Sequence, residues 1–309
     1  MIDCTTMRST PLMVVLILFA GHATAEELPK VPHGSIQRLN SFQSQFVDAR
    51  NVDVWLPDGY GPGKRYDVLY MQDGQMLFDP SITWNKQSWD AAGILSQLIA
   101  DGRVRPTIIV AIWNISKLRH SEYFPEKYLP LIPEPARTQF VDKFLTGKPR
   151  GDAYLRFIVQ ELKPYIDAHF QTYPEREHSF IMGSSMGGLI SLYAICEYPQ
   201  IFGGAAGLST HWIGSFEPNS AIPLAAFNYL SGHLPSPGDH RLYMDHGTAG
   251  LDAMYGPAQT FIDQILRDRG YTSSDWSSQV FEGATHDEVN WSRRLAIPLQ
   301  FLLAPAAAH

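Results

Sequence analysis

The segment Gly183-Ser184-Ser185-Met186-Gly187 sets a serine at the centre of a Gly-x-Ser-x-Gly pattern. The apolar run Phe180-Ile181-Met182 leads into it, and apolar residues with helical spacing follow over residues 189–197. Between a strand and a helix this pattern builds a nucleophile elbow. The serine sits on a strained turn, and glycines beside it let strand and helix approach closely. The helix N-terminus beneath favours developing negative charge. The chemistry so equipped is nucleophilic attack on an acyl carbonyl. Ser184 occupies the first variable position, which leaves Ser185 as the nucleophile. A glycine-rich turn with an idle serine is the alternative, and the strand-turn-helix context argues against it.

Such a serine needs a base and an acid, which follow it in the chain order Ser, Asp or Glu, His. His286 lies just beyond a strand-like segment at residues 279–281 and is the candidate base. His211 and His246 come too early for that place, and His233 and His240 sit in or beside an irregular stretch. For the acid, Asp245 and Asp252 both follow the strand-like residues 241–244. Asp245 can serve instead as a turn residue that bonds the Gly247-Thr248 backbone. Asp252 stands further into the loop, ahead of a helix opened by Pro257, where it can swing to His286; it is the preferred acid. Asp287 adjoins the base, so its side chain should point elsewhere. Two backbone N–H groups should face the oxyanion, one from Met186 and one from Gln75 in Asp73-Gly74-Gln75. That tripeptide otherwise reads as an ordinary turn.

The elements that must hold these residues alternate between strand and helix, the pattern of an α/β fold with a mostly parallel sheet flanked by helices. Residues 45–56, 68–71 and 107–112 read as strands, the last buried on both faces. Ser88 is placed to cap a helix carrying Trp89, Ile94, Leu95 and Leu98. Residues 116–150 break the rhythm with Pro125, Pro130, Pro133, Pro135 and Pro149, and are expected to form a lid-like insertion. Asp152 then caps a long amphipathic helix that Pro164 should kink. Residues 218–239 read as a further surface excursion.

At 309 residues, 45% hydrophobic, the chain can bury one large α/β core. A net charge of -7 with no basic stripe argues against a nucleic-acid partner. Residues 1–25 read as a secretory signal: Arg8, an apolar run over 12–20, and Ala23-Thr24-Ala25 as a small-x-small cleavage site. Met7 offers an alternative start. The apolar run is too short to span a bilayer comfortably, so no stable membrane insertion is expected after cleavage. Residues 26–309 would then form a single periplasmic or secreted domain. Its one cysteine, Cys196, lies in an apolar helical stretch and reads as a buried structural thiol.

On these residues the chain resembles the esterase family of α/β-hydrolases that includes esterase D, feruloyl esterases, enterochelin esterases and mycolyltransferases. The segments that carry the likeness are VDVWLPDGY, YDVLYMQDGQMLFD, RHSEYFP, FIMGSSMGGLISLYA, GLSTHW, MDHGTAGLDAMY and GATHDEVNW. The resemblance implies one α/β-hydrolase domain, no metal or organic cofactor, and ester hydrolysis through an acyl-serine. It maps the nucleophile to Ser185 and the base to His286. The family's commonest spacing for the acid lands on Gly250, and Asp252, two places on, is the natural substitute. The resemblance also points to Arg119, Glu122 and Tyr123, and to Ser209, His211 and Trp212, on loops bordering the site. Arg119 and Glu122 would equally serve as a surface ion pair holding the lid. Substrates in view are carbohydrate-linked, siderophore or simple acyl esters, with Trp84, Trp89, Trp113 and Trp212 as candidate stacking surfaces. Acyl transfer, a serine peptidase with the same triad, or a binding protein on the same fold are the rival readings.

Overall fold

Short apolar and β-branched runs form the strands because only a sheet covered on both faces buries every residue of such a run. The computed structural model describes Met1 and residues 27–305; the expected signal at residues 1–25 otherwise lies outside the described residues. The described strands are β1 (Ser35–Phe42), β2 (Arg50–Leu56), β3 (Asp67–Met71), β4 (Thr107–Ile112), β5 (Ser179–Ser184), β6 (Gly204–Leu208), β7 (Arg241–Gly247) and β8 (Trp276–Phe281). They form one sheet in the order β1-β2-β4-β3-β5-β6-β7-β8. Only the β1–β2 and β2–β4 pairings are antiparallel; the rest run parallel.

The helices are α1 (Ala91–Ala100), α2 (Arg119–Tyr123), α3 (Ala136–Phe144), α4 (Gly151–Arg156), α5 (Lys163–His169), α6 (Met186–Glu197), α7 (Ala221–His233), α8 (Gly256–Asp268), α9 (Glu288–Arg294) and α10 (Ala296–Leu303). The period-2 alternation of β3 divides its side chains between two cores. Val68 and Tyr70 join the cluster around α6, whereas Leu69 and Met71 join the one that contains Trp89, Trp291 and Leu299. Among the described residues, no helix is long and apolar enough to cross a membrane.

Several local expectations change. The strand expected from residue 45 begins at Arg50, because the Ser44 hydroxyl accepts from the Phe46 and Val47 N–H groups and bends the chain there. Helix α1 starts at Ala91, not at Ser88, with Asp90 at its N-cap position. Asp152 lies inside the first turn of α4 and accepts from the Tyr193 hydroxyl (2.6 Å) instead of capping. A π-helical turn, Phe157–Leu162, separates α4 from α5, and Pro164 sits in the first turn of α5. Residues 218–239 contain α7.

The expected lid at 116–150 is a set of short helices whose Tyr123, Phe124 and Tyr128 are fully buried. Glu122 does not pair with Arg119. It accepts two bonds from Arg50 of β2, at 2.9 and 2.7 Å, with both side chains buried. Arg50 also lies 5.3 Å from the Tyr154 and Phe157 rings. Removing one partner of a buried pair strands the other charge. Glu122→Ala should therefore destabilise the protein by about 3–5 kcal/mol, read from the denaturation midpoint.

Candidate active site

Parallel strands deliver the loops at their carboxyl ends to one edge of the sheet, where open α/β sheets bind ligands. At that edge β5 turns through Ser185 into α6. Ser185 has φ 55° and ψ -125°, a conformation that costs of order 1–3 kcal/mol and needs support from its surroundings. Its N–H donates to the Leu208 carbonyl at 2.9 Å. A Cβ on Gly183 would stand 2.7 Å from the Gly187 carbonyl carbon, so strand and helix can meet there only across glycine. Helix α6 begins at Met186, leaving its first-turn N–H groups without intrahelical partners beside the serine.

After β3 the chain turns through Asp73, at φ 57°, into the short helical turn Gly74–Met76. A Cβ on Gly74 would lie 2.5 Å from the Ala111 carbonyl, which keeps this loop tight against β4. Asp73 accepts from Arg119 at 2.7 and 2.8 Å and from the Asn114 amide at 2.6 Å. Burial lowers the Arg119 guanidinium, but Asp73 outweighs it and raises it overall. The Gln75 side chain accepts from the Asn114 N–H at 3.1 Å.

The two candidate acids take different partners. Asp252, in the turn Gly250–Met254, has Oδ1 2.6 Å from His286 Nδ1. Its Oδ2 accepts from the Ser209 hydroxyl (2.5 Å) and the Gly247 N–H (2.7 Å). Burial pushes this carboxyl up, but the bonds from His286, Ser209 and Gly247 prevail and hold it below the usual range. Asp245 stays inside β7, which runs on to Gly247. It accepts from Arg294 at 2.9 and 3.2 Å, from the Ser209 N–H at 3.0 Å and from the Tyr243 hydroxyl at 3.0 Å. Burial, opposed by Arg294, leaves its carboxyl raised.

Ser209 joins these two carboxylates. It sits at φ 44°, and its hydroxyl also accepts from Trp291 Nε1 (3.0 Å) and Arg294 Nη2 (2.8 Å). Both donors come from α9, three residues apart and hence on one face. The Trp291 ring meets His286 edge to face at 5.0 Å.

Ser185, His286, Gln75 and Arg119 border one cavity of about 790 Å³, together with Trp84 and Phe216. Trp84 is 83% exposed and Phe216 65% exposed. Glu122, Tyr123 and Trp212 lie beneath the surface instead of bordering the cavity. The Tyr123 hydroxyl accepts from the Asp73 N–H (3.3 Å), and Trp212 Nε1 donates to Gln259 (2.8 Å), so their polar ends are used in support. Trp113 is also drawn off, donating to Asp53 at 2.9 Å. His211 is buried next to the serine, its N–H donating to the Ser185 carbonyl at 3.2 Å.

Sequence reasoning missed Asp73, Asn114, Tyr255, Trp291 and Arg294 as residues of this site. A weak signal existed for three of them. Tyr255 stands three places after Asp252, and the spacing of Trp291 and Arg294 puts them on one side of a helix that starts directly after His286.

Comparison with known proteins gives the same architecture. The model of the family described as "Putative esterase" matches residues 44–299. The endo-1,4-beta-xylanase/feruloyl esterase of Xylanibacter ruminicola is 28% identical over 211 residues, 65% of this chain. The chain spans only 24% of that relative's length. Among solved structures, a ferulic acid esterase superposes with a TM-score of 0.62 at 20% identity, over 88% of this chain and 98% of its own. The enterobactin esterase of Shigella flexneri gives 0.64 at 17% identity, over 89% and 60%. At such identities the superpositions speak for a shared α/β-hydrolase fold. The family model, spanning most of the sequence, goes further: the chain belongs to this family of carboxylic-ester hydrolases.

Proposed function

We propose that the protein is a serine carboxylic-ester hydrolase in which Ser185, His286 and Asp252 act as nucleophile, base and acid. The observation that carries this reading is a strained serine sharing a cavity with a histidine whose far nitrogen is held by a depressed carboxylate. Asp252 fixes the tautomer with the proton on Nδ1, leaving Nε2 to accept the Ser185 proton during attack. The Oγ–C bond forms as the carbonyl π pair moves onto oxygen, where the Met186 and Gln75 N–H groups receive it. His286 then returns the proton to the departing alcohol, and water repeats the sequence to free the acid.

The substrate we favour carries an aromatic ring or a sugar, because Trp84 and Phe216 offer exposed ring faces at the cavity. The names of the relatives, which act on feruloyl and enterobactin esters, agree with such a choice. Residues 1–25 would direct export, with residues 26–309 as the mature enzyme in the periplasm or outside the cell.

A fluorophosphonate probe tests the reaction class. Purified protein should label stoichiometrically at Ser185 and hydrolyse p-nitrophenyl acetate. Absence of both would sink the serine-enzyme reading. A panel of feruloyl, acetyl-xylan, siderophore and short acyl esters then ranks the substrates.

A further inference from the structure

Behind the triad acid lies a hydroxyl that the mechanism above leaves unused. Ser209 follows directly on β6 and is wholly buried. The sense of its hydrogen bonds follows from the chemistry of its partners. A serine hydroxyl has one O–H to donate and two lone pairs to accept with. Both lone pairs are taken, by Trp291 Nε1 at 3.0 Å and by Arg294 Nη2 at 2.8 Å. Indole and guanidinium groups donate and do not accept, so neither can receive the serine proton. Among the described residues, the acceptor that this proton reaches is Asp252 Oδ2, at 2.5 Å. The backbone is fixed as well. The Ser209 N–H donates to Asp245 Oδ1 at 3.0 Å, and the residue sits at φ 44°, where a serine stays only when its surroundings hold it. Ser209 is thus a donor of fixed place and fixed direction.

Asp252 needs such a donor because its last torsion is soft. The His286 ring is already confined edge to face by Trp291 at 5.0 Å and Tyr255 at 5.7 Å, so the carboxylate must meet Nδ1 where that ring presents it. Oδ1 does so at 2.6 Å, while Oδ2 receives the Ser209 hydroxyl and, at 2.7 Å, the Gly247 N–H. One donor stands just beyond β6 and the other at the end of β7, so Oδ2 is gripped from two strands. With Gly247 alone, the carboxylate could pivot about a single contact. Burial works against a charged Asp252, and the Ser209 bond is among those that overcome it.

Resting on the serine-hydrolase reading, we propose that Ser209 is a positioning residue that acts through Asp252, holding the carboxylate in the plane from which Oδ1 keeps His286 in its working tautomer. Trp291 and Arg294 fill the lone pairs of Ser209 and so turn its proton to the acid. Both stand on α9, which starts two residues after His286. Base and orienting donors therefore arrive on one segment of chain, and the acid is set against the same segment that it serves.

The test is a double-mutant cycle in kcat, made of Ser209→Ala, Asp252→Ala and the two together. Ser209→Ala should lower kcat roughly 10- to 100-fold with KM within about twofold, since a misaligned acid impairs the reaction and not substrate binding. Added to Asp252→Ala, it should lower kcat by less than about twofold, because the carboxylate that it orients is already gone. A residue that only supported packing would exact its loss in both backgrounds. Losses that multiply therefore overturn the proposal, as does a Ser209→Ala enzyme whose kcat lies within about twofold of wild type. Should Ser209→Ala fail to fold, Ser209→Gly decides by the same criteria, since glycine adopts φ 44° without strain and removes the same hydroxyl. Wild-type protein that neither labels with a fluorophosphonate nor turns over would instead defeat the serine-hydrolase reading, so the two failures are distinguishable.

Discussion

Ser185→Ala should lower kcat for ester hydrolysis by about a millionfold and abolish fluorophosphonate labelling, while the protein melts as the wild type does. In the proposed mechanism the hydroxyl is the atom that bonds to the acyl carbon, so nothing else at the site substitutes for it. The residual rate, still above that in water, would report the backbone donors and the cavity. Ser184→Ala is the informative control. Ser184 also borders the cavity but closes β5 as a strand residue, and its variant should keep wild-type labelling. Label retained in Ser185→Ala and lost in Ser184→Ala would transfer the nucleophile by one position.

Asp252→Asn and Asp245→Asn should separate chemistry from stability. An amide at 252 no longer holds the His286 proton on Nδ1, and a histidine in the wrong tautomer cannot accept from serine. We expect kcat to fall about 10³- to 10⁴-fold, with the denaturation midpoint little changed. At 245 the carboxylate faces Arg294, Ser209 and Tyr243, with no bond to His286. Its amide leaves a buried guanidinium short of a counter-charge, which should cost about 3–5 kcal/mol of stability. The folded fraction should turn over at nearly the wild-type rate. The reverse pattern would make Asp245 the acid.

The parts of this site that local order dictates are legible in the sequence. A nucleophile elbow is five residues between a strand and a helix, and His286 follows the last strand-like run. Asp252 could be preferred because the loop after β7 is long enough to carry it towards the histidine. What is not legible depends on partners distant along the chain. Glu122 meets Arg50 across 72 positions, and Ser209 meets Arg294 across 85. Neither pairing leaves a trace in periodicity or composition. The buried side of residues 116–150 was hidden for a related reason. Prolines in residues 116–150 mark interruptions of regular structure, but the aromatic residues between them are numerous enough to build core, as Tyr123, Phe124 and Tyr128 do.

The links from α9 to Ser209 have a consequence for a chain made from its N-terminus onward. Ser185 is synthesised about a hundred residues before His286, Trp291 and Arg294. Until that late segment docks, Asp252 lacks its histidine, and Ser209 lacks both donors from α9. A nascent or partly threaded chain would therefore display the serine elbow without any competence to attack an ester. Activity would arrive in one step with the docking of α9, so that ester turnover during refolding would serve as a clock for closure of the C-terminal part of the fold.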